Sequence, residues 1–255
     1  MKMSRTLLST AGLMTLVACA NSTYRADVGA MFSKHDGQIA LQNVGGSNIL
    51  ANEKNSIEKD LGIGDTEPSP YVRLQWDEEV HRVRAHGFGL RADGSGELAQ
   101  DFGNLSSGSS VTTSMEYWNI STAYSYAMVQ NYDVRLGVGA QLGFYALDVA
   151  ARSGGVREAV ETAVLVPMPY VDAEFYLGDR VTLGANAGYM SADLGDGDGR
   201  YWDADFWGRV RVTDEIELLA GYRYMMMDAD GRASSRDFAA DLDVNGWWIG
   251  GGVRF

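Results

Sequence analysis

The chain has 255 residues, of which 34 are acidic and 21 are basic, and its formal net charge is -13. This charge argues against nucleic-acid binding, because phosphate contacts need clustered Lys and Arg side chains. No apolar run approaches the roughly 20 residues of a membrane-spanning helix, so a role in a membrane would need strands or a lipid anchor. The 31 Gly and 13 Tyr residues, beside only 4 Pro, favour strands joined by short turns.

The N-terminus has the features of a targeting segment: a short basic start, an apolar core and small residues around Cys19. The sequence LVAC that ends at Cys19 resembles a bacterial lipobox. It predicts a signal peptide over residues 1–18, cleavage before Cys19 and acylation of the Cys19 thiol, so that the mature protein would be a lipoprotein. The alternative is ordinary signal-peptidase cleavage after Ala20. Either reaction predicts export from the cytoplasm. Residues 19–255 are expected to form one domain.

Apolar residues recur at every second position from about Tyr71 onward, which predicts β-strands. In the most regular stretch, VRLGVGAQLGFYALDV, apolar residues from Val134 to Phe144 alternate with Arg135, Gln141 and glycines. In chain order, the same alternation occupies SMEYWNISTAYSYAMV, the stretch that ends in EFYL, RVTLGANAGYM, YWDADFWGRVRV and EIELLAGYRYMM.

Short connections alternate with long ones, which is typical of outer-membrane barrels with short periplasmic turns and long outer loops. We therefore predict an all-β fold, a single antiparallel up-and-down transmembrane β-barrel of about ten strands, with eight as the alternative. The first strand is expected near residues 24–33 and the last ends at Phe255. The long connections are expected near residues 34–69, 93–113, 152–161, 193–200 and 229–237, with a short helix near residues 53–61 in the first.

The spacing of aromatic residues fits the same fold. Trp118 and Tyr126 share the apolar face of one predicted strand. Eight residues at about 3.3 Å each span roughly 26 Å along the strand, or about 20 Å of height when the strand is tilted. This approaches the apolar band of roughly 25 Å between the aromatic girdles of outer-membrane barrels.

The C-terminal sequence GWWIGGGVRF, which ends at Phe255, resembles the terminal strand of the Gram-negative outer-membrane β-barrel superfamily. Proteins of that superfamily end on an aromatic residue preceded by alternating apolar positions. The resemblance implies outer-membrane localisation and recognition of the Phe255 strand by the barrel assembly machinery. The apolar set before this strand changes face near Asn245-Gly246, which predicts a β-bulge there.

If the apolar faces meet lipid, the alternate positions face the lumen. Acidic and basic residues alternate from strand to strand in this set, which favours a mutually neutralising network that fills a narrow barrel. A lumen lined for selective passage is the alternative, although a channel would favour a ring of one sign. The predicted lumen-facing charge network comprises Arg135, Asp172, Glu174, Arg180, Asp203, Asp205, Arg209, Arg211, Glu217 and Arg223.

The histidines give little support for an active site. His81 lies beside a predicted periplasmic turn, His86 lies nearer the middle of a strand, and His35 with Asp36 begins the first long loop. Outer-membrane enzymes such as omptin-type proteases and lipid A deacylases place His with Asp, Glu or Ser near the loop end. We expect no catalytic residue, no metal site and no cofactor, since no nucleophile or zinc motif is present.

Four functions remain for such a chain. The preferred one is a monomeric outer-membrane barrel that serves the envelope structurally or presents its loops, in contact with outer-membrane lipids and lipopolysaccharide. The second is a narrow, porin-like channel for small solutes. The third is a barrel enzyme that acts on lipid A or peptides. The fourth is a soluble lipoprotein whose apolar face points inward, around an apolar ligand.

Overall fold

The computed structural model describes residues 22–43, 54–64, 67–193, 198–233 and 236–255. Residues 1–18, predicted to be the signal peptide, lie outside the described residues, as does Cys19. Within the described ranges the regular structure is all β, and no helix is long and apolar enough to span a membrane.

Ten long antiparallel strands form a closed ring, in which each strand pairs with its neighbours in sequence. The prediction of an up-and-down barrel of about ten strands is confirmed. A further two-residue strand, β2 (Asn55–Ser56), pairs only with β1. The ring contains β1 (Ser22–Leu41), β3 (Glu67–Glu78), β4 (His81–Glu97), β5 (Ser110–Gln130), β6 (Val134–Ser153), β7 (Val156–Leu177), β8 (Val181–Asp193), β9 (Asp198–Arg211), β10 (Ile216–Ala233) and β11 (Arg236–Arg254).

The ring closes where β1 meets β11, and Phe255 completes this junction. The backbone N–H of Tyr24 donates to Phe255 O at 2.8 Å, and the N–H of Phe255 donates to Tyr24 O at 3.0 Å. The two rings stack with their centroids 5.9 Å apart. Both described ends of the chain therefore lie at the end of the barrel that carries the short turns, here called the turn end; the opposite end is the loop end.

The alternation of the sequence fixes which side chains face outward. Leu142, Val171 and Phe206 are 46%, 53% and 59% exposed on the outer surface, while their neighbours in sequence point inward. The face on which Trp118 and Tyr126 lie is likewise outward, as predicted. The outer surface therefore carries a continuous apolar belt, and the interior receives the alternate residues.

The interior changes character between the two ends. On β6, charged Arg135 points inward near the turn end, whereas Tyr145, Leu147 and Val149 point inward near the loop end. The apolar positions of this strand thus move from the outer face, where they end near Phe144, to the inner face. The interior is polar in the half near the turns and apolar in the half near the loops.

This change also explains the irregularity on β11. Val244 points inward and Trp247 points outward, yet β11 pairs with β1 and β10 without any shift of register. The β-bulge predicted at Asn245-Gly246 is therefore wrong. The apolar residues of β11 change face because those nearer the loop end line the apolar interior. Those nearer the turn end belong to the outer belt. The register shift that the described strands do contain lies between Ala127 and Val129.

Several strands run further than predicted. β1 continues to Leu41, through residues assigned to the first loop, because it stays paired with β11 along this extension. The connection predicted near residues 152–161 is the two-residue turn Gly154–Gly155, with φ values of 55° and 87°. The one near residues 229–237 is likewise mostly paired strand. The barrel wall thus extends beyond the apolar belt on the loop side.

The first loop contains no helix in its described part. Residues 54–64 consist of β2, a tight turn over residues 57–60 and extended chain. The backbone N–H groups of Asp60 and Leu61 both donate to Ser56 O, at 3.1 and 3.0 Å. The short helix predicted near residues 53–61 is therefore replaced by one hydrogen-bonded turn. Buried side chains, rather than helical hydrogen bonds, hold this segment in place.

Candidate functional site

The turn-end half of the interior contains a network of buried ion pairs built around Arg82 on β4. Its guanidinium reaches Asp172 at 3.2 Å and Glu174 at 2.8 Å, both on β7. Arg135 also pairs with Asp172, and Arg84 lies 3.3 Å from Glu174. Because charges removed from water need partners, this mutual pairing keeps the buried acids and bases compatible with the fold.

A second group of ion pairs lies beside the first. Glu217 on β10 forms ion pairs with Arg209 at 3.0 Å and with Arg25 at 3.6 Å. Asp27 on β1 pairs with Arg73 at 2.9 Å. The two groups together bring side chains from distant strands of the ring into contact within this half of the interior.

Two buried tryptophans pack against arginines of these groups. The Arg73 guanidinium lies 4.9 Å from the ring centroids of both Trp207 and Trp248, and Arg209 lies 4.8 Å from Trp207. Trp248 donates its indole N–H to Asp205 at 2.9 Å. Cation–π contacts of this kind stabilise an arginine that has lost its hydration.

A third group, here called the Asp203 cluster, lies midway along the barrel. Arg223 on β10 contacts Asp203 at 2.8 Å, and Gln141 on β6 donates to the same carboxylate at 2.7 Å. His86 Nε2 lies 3.6 Å from Asp203 and also contacts Arg223. Asn119 accepts from Arg223 at 3.3 Å. The Asp203 carboxylate thus links β9 to three other strands, β4, β6 and β10.

The predicted network residues do not all share this environment. Arg180 is exposed in the turn over residues 178–180, so its assignment to the lumen is wrong. It precedes β8, which begins at Val181, and the inward–outward alternation does not apply to it. Arg211, the last residue of β9, is only half buried. The remaining residues of the predicted set are buried in the barrel: Arg135, Asp172, Glu174, Asp203, Asp205, Arg209, Glu217 and Arg223.

Sequence reasoning missed the central arginines of β4. Arg82 and Arg84 are 3% and 2% exposed, and both belong to the network. A signal for them exists in HRVRAHG, where Arg82, Arg84 and His86 alternate with small or apolar residues. Asp77 was also missed, because it lies at the edge of a predicted turn. It forms ion pairs with both Arg25 and Arg82.

Two segments, here called the mouth plug, pack into the loop-end half of the interior: residues 54–64 and residues 98–109. Hydrogen bonds tie the first segment to the wall. Ile57 donates its N–H to Gly37 O at 2.9 Å, and Thr113 donates its hydroxyl to Leu61 O at 2.6 Å. The apolar side chains that the plug inserts into the barrel are at most 4% exposed: Ile57, Leu61, Ile63, Leu98, Phe102 and Leu105.

A carboxylate above the belt holds the second plug segment. Glu158 on β7 accepts from the Asn104 side chain at 2.6 Å and from Arg236 on β11 at 2.6 Å. Burial by itself would raise the pKa of Glu158, but the hydrogen bonds from Arg236 and Asn104 outweigh it and hold the pKa below its usual value. The Glu158 carboxylate therefore joins residues 98–109 to the barrel wall through charged hydrogen bonds, and this contact is here called the latch.

The three histidines occupy separate places. His81 follows the turn over residues 79–80 and bonds the Tyr124 hydroxyl at 2.8 Å. His35 is buried in β1, opposite Val244. His86 lies 3.6 Å from Asp203, within the Asp203 cluster rather than at the loop end.

No family model and no curated protein matches this chain. Solved structures do match. The outer-membrane protease OmpT from Escherichia coli is similar with a TM-score of 0.57 and 10% identity, over 94% of this chain and 99% of that chain. The transport unit of the autotransporter AIDA-I from Escherichia coli gives 0.40 and 8%, over 96% and 94%. Neisserial surface protein A gives 0.34 and 14%, over 92% and 96%.

The likeness to OmpT extends over nearly the whole of both chains, so it concerns the barrel and not a fragment. At 10% identity it bears on fold alone. Together with the closed ring and the outward apolar belt, it shows that this chain has the fold of the Gram-negative outer-membrane β-barrels.

Proposed function

We propose that this protein is an integral outer-membrane β-barrel with a closed interior, whose role is to support the envelope or to present its loops at the cell surface. One observation carries the proposal: ion pairs occupy the turn-end half of the lumen, and the mouth plug occupies the other half. A barrel whose interior is occupied at both levels acts through its outer surface and its loops.

Membrane insertion is supported by the outer surface. The outward residues of neighbouring strands form an apolar belt, and aromatic side chains such as Trp118, Tyr189 and Trp202 stand at its loop-side edge. Aromatic girdles of this kind mark the membrane interfaces of outer-membrane barrels. An outer belt that is apolar and exposed also argues against a soluble lipoprotein with an inward apolar face.

A channel is disfavoured by the nature of the lumen. Conducting pores use a wet path with a ring of one sign at a constriction. Here each buried carboxylate of the turn-end half is matched by an arginine, as Glu174 is by Arg82. Movement of an ion through this half would have to separate such pairs without water, which is costly.

An enzyme is disfavoured by the position of His86. A general base must reach its substrate, whereas His86 is 6% exposed and stands beside the positive charge of Arg223. We propose that it completes the hydrogen bonding of the Asp203 cluster and takes no part in catalysis.

The partners that follow from this proposal are outer-membrane lipids and lipopolysaccharide around the belt, and the assembly machinery at the Phe255 strand. A lipid on Cys19 would add an anchor on the same side as the turn end, because β1 begins there. We further propose that the barrel acts as a monomer, since ring closure through β1 and β11 satisfies both edge strands.

Planar-bilayer recording tests the closed interior. The full-length protein, shown to be folded by its mobility in cold SDS, is expected to give no steady conductance. Asp205→Ala is compared with Asp237→Ala, which changes a partly exposed carboxylate paired with the exposed Arg232. Steady ohmic conductance that Asp205→Ala alters and Asp237→Ala leaves unchanged would establish a channel and contradict the proposal.

A further inference from the structure

The wall of the barrel is not paired along its whole height. β7 and β8 pair from Leu177↔Val181 up to Tyr170↔Gly188, and no pair beyond that point joins their described residues. β7 nevertheless continues upward along β6, and β8 continues along β9 to Asp193. We call this unpaired stretch of wall, on the loop side of Tyr170 and Gly188, the seam.

Two prolines account for the seam. Backbone donors point alternately to the two neighbours of a strand. Tyr176 donates its N–H to Asp133 O, on the β6 side, at 2.8 Å. The N–H groups of odd-numbered β7 residues therefore face β8, and Pro167 and Pro169 occupy two successive positions of this kind. Because proline has no N–H, each removes a ladder bond that would join β7 to β8.

The other two prolines mark an equivalent break. Pro68 and Pro70 precede Tyr71, just as Pro167 and Pro169 precede Tyr170, and the chain reads PSPYV and PMPYV at the two places. Pairing between β3 and β4 ends at Tyr71↔Phe88, although β4 continues to Glu97. All four prolines of the chain thus stand where pairing of the ring stops.

The two breaks differ in what occupies them. At the β3–β4 break, residues 54–64 of the mouth plug fill the gap: β2 pairs with β1 on one side, and residues 60–62 lie against β4 on the other. Contact there is so close that Gly94 and Gly96 of β4 leave no room for a Cβ atom. At the seam, no described segment of the chain takes the equivalent place between β7 and β8.

The outer surface at the lower end of the seam is a groove of about 540 Å³. Its lining includes Val138, Pro169 and Val171, and at its side the rings of Tyr189 and Trp202 pack 5.8 Å apart. Since aromatic pairs of this kind stand at the interface of the bilayer, the groove opens at the level where the acyl chains of the outer leaflet begin.

Behind the seam lies the apolar half of the interior. Met168 is buried, and Met190 packs against the same core. A Cβ atom at Gly188 would lie 3.4 Å from Met168 Cβ and 3.5 Å from Gln141 Oε1, in ordinary van der Waals contact, so a larger side chain there would press on Met168. Flexible methionines adapt to ligands of varied shape. Gln141, which bonds Asp203, marks where the polar cluster begins.

We propose that the seam is a lateral binding site for an acyl chain of an outer-leaflet lipid, which lies in the groove and passes between β7 and β8 to reach Met168 and Met190. The groove is lined by apolar residues and the interior behind the seam is apolar too, so a hydrocarbon chain suits both sides of this gap, which no described segment fills. At the β3–β4 break residues 54–64 of the chain fill the equivalent gap, and at the seam we assign that place to lipid. This proposal rests on membrane insertion of the barrel and goes beyond its structural role.

Photocrosslinking in a bilayer tests it. The full-length protein is reconstituted in phosphatidylcholine vesicles that contain phosphatidylcholine with a diazirine on one acyl chain, and adducts are mapped by mass spectrometry after illumination. Adducts on outward residues such as Leu183 report insertion of the barrel. We expect additional adducts on the inward residues Met168 and Met190.

Matched proline variants identify the route. P167V/P169V restores two ladder donors and is expected to lower the inward adducts by at least about fivefold, the change that even one of the two bonds would produce at an ordinary net strength. Gly188→Leu, which fills the gap from within, is expected to act in the same direction. P68V/P70V makes the same change at the occupied break and should leave the inward adducts unaltered.

Two results would overturn the proposal, and they are distinguishable. Outward adducts without inward ones, or inward adducts that neither P167V/P169V nor Gly188→Leu reduces, would leave the barrel in the membrane but eliminate the seam as a site. The absence of adducts even on Leu183 would contradict membrane insertion, and with it the seam.

Discussion

Glu158 and Arg236 join β7 to β11 across the mouth of the barrel, with Arg236 Nη1 2.6 Å from Glu158 Oε2. The same carboxylate holds Asn104 of the mouth plug. Glu158→Gln should therefore loosen residues 98–109, because it removes the charge from these hydrogen bonds. We expect amide hydrogen exchange of Gly103 and Leu105 to become about tenfold faster, as for the loss of about 1.4 kcal/mol of local stability.

Glu161→Gln is the matched control, since Glu161 lies on the same strand but is exposed. Equal exchange rates in the two variants would contradict the latch.

The latch also predicts a dependence on pH. Because the pKa of folded Glu158 lies below its ordinary value, the stabilisation is fully present above the ordinary glutamate pKa. It is lost as the pH falls through the lower, folded value. The protection factor of Gly103, which corrects for the intrinsic slowing of amide exchange in acid, should therefore fall on acidification more in the wild type than in Glu158→Gln. A parallel fall in both proteins would show that another group is responsible.

Phe102 is the plug residue whose loss should destabilise the protein most. It is fully buried in the apolar half of the interior, and Phe102→Ala should lower the free energy of unfolding by about 3–5 kcal/mol. Tyr132→Ala, at a 98% exposed position in a turn, should change it by less than about 0.5 kcal/mol. Urea titration in detergent micelles measures both, and similar values for the two variants would show that the plug does not contribute to stability.

The Asp203 cluster predicts asymmetric effects of mutation. Asp203→Asn leaves the buried Arg223 without its carboxylate and should destabilise the barrel by about 3–5 kcal/mol. The double variant D203N/R223M should recover part of this loss, because no unpaired charge remains. Asp237→Asn, which affects an exposed pair with Arg232, should cost less than about 1 kcal/mol. A double variant no more stable than Asp203→Asn would argue that Arg223 is not the source of the cost.

The fold was predictable because apolar residues recur at every second position wherever the outer surface of the barrel meets an apolar environment. Val134 to Phe144 on β6 shows this directly, and the terminal aromatic Phe255 marks the closing strand. The charged positions between them, such as Arg135, follow from the same alternation. These features depend only on the local order of residues.

The loop-end half was not predictable in the same way. From Tyr145 onward the apolar positions of β6 face inward, because they pack against the mouth plug, and the plug comes from residues 54–64 and 98–109, which are distant in sequence. The same long-range packing misled the interpretation of Val244 and Trp247 as a bulge. The β7 prolines, Pro167 and Pro169, carried a further local signal, since two prolines at alternate positions do not suit a central strand.

Phe255 should matter for closure of the ring. Phe255→Ala removes the stacking on Tyr24 and the aromatic end of the strand that the assembly machinery is expected to recognise. We expect a smaller folded fraction in outer membranes, measured by gel mobility, whereas Val253→Ala on the same strand should leave most of the protein folded. Equal folded fractions for the two variants would show that the terminal ring has no special role.

Gel mobility of the outer-membrane fraction in SDS, unheated against boiled, tests the central claim most directly. A closed ring of ten paired strands should stay folded in cold detergent and migrate differently from the boiled chain. We expect this heat-dependent shift, together with retention of the protein in membranes washed with carbonate. Identical mobility before and after boiling, with release of the protein by carbonate, would contradict an integral barrel and with it the inward and outward assignments on which the proposals depend.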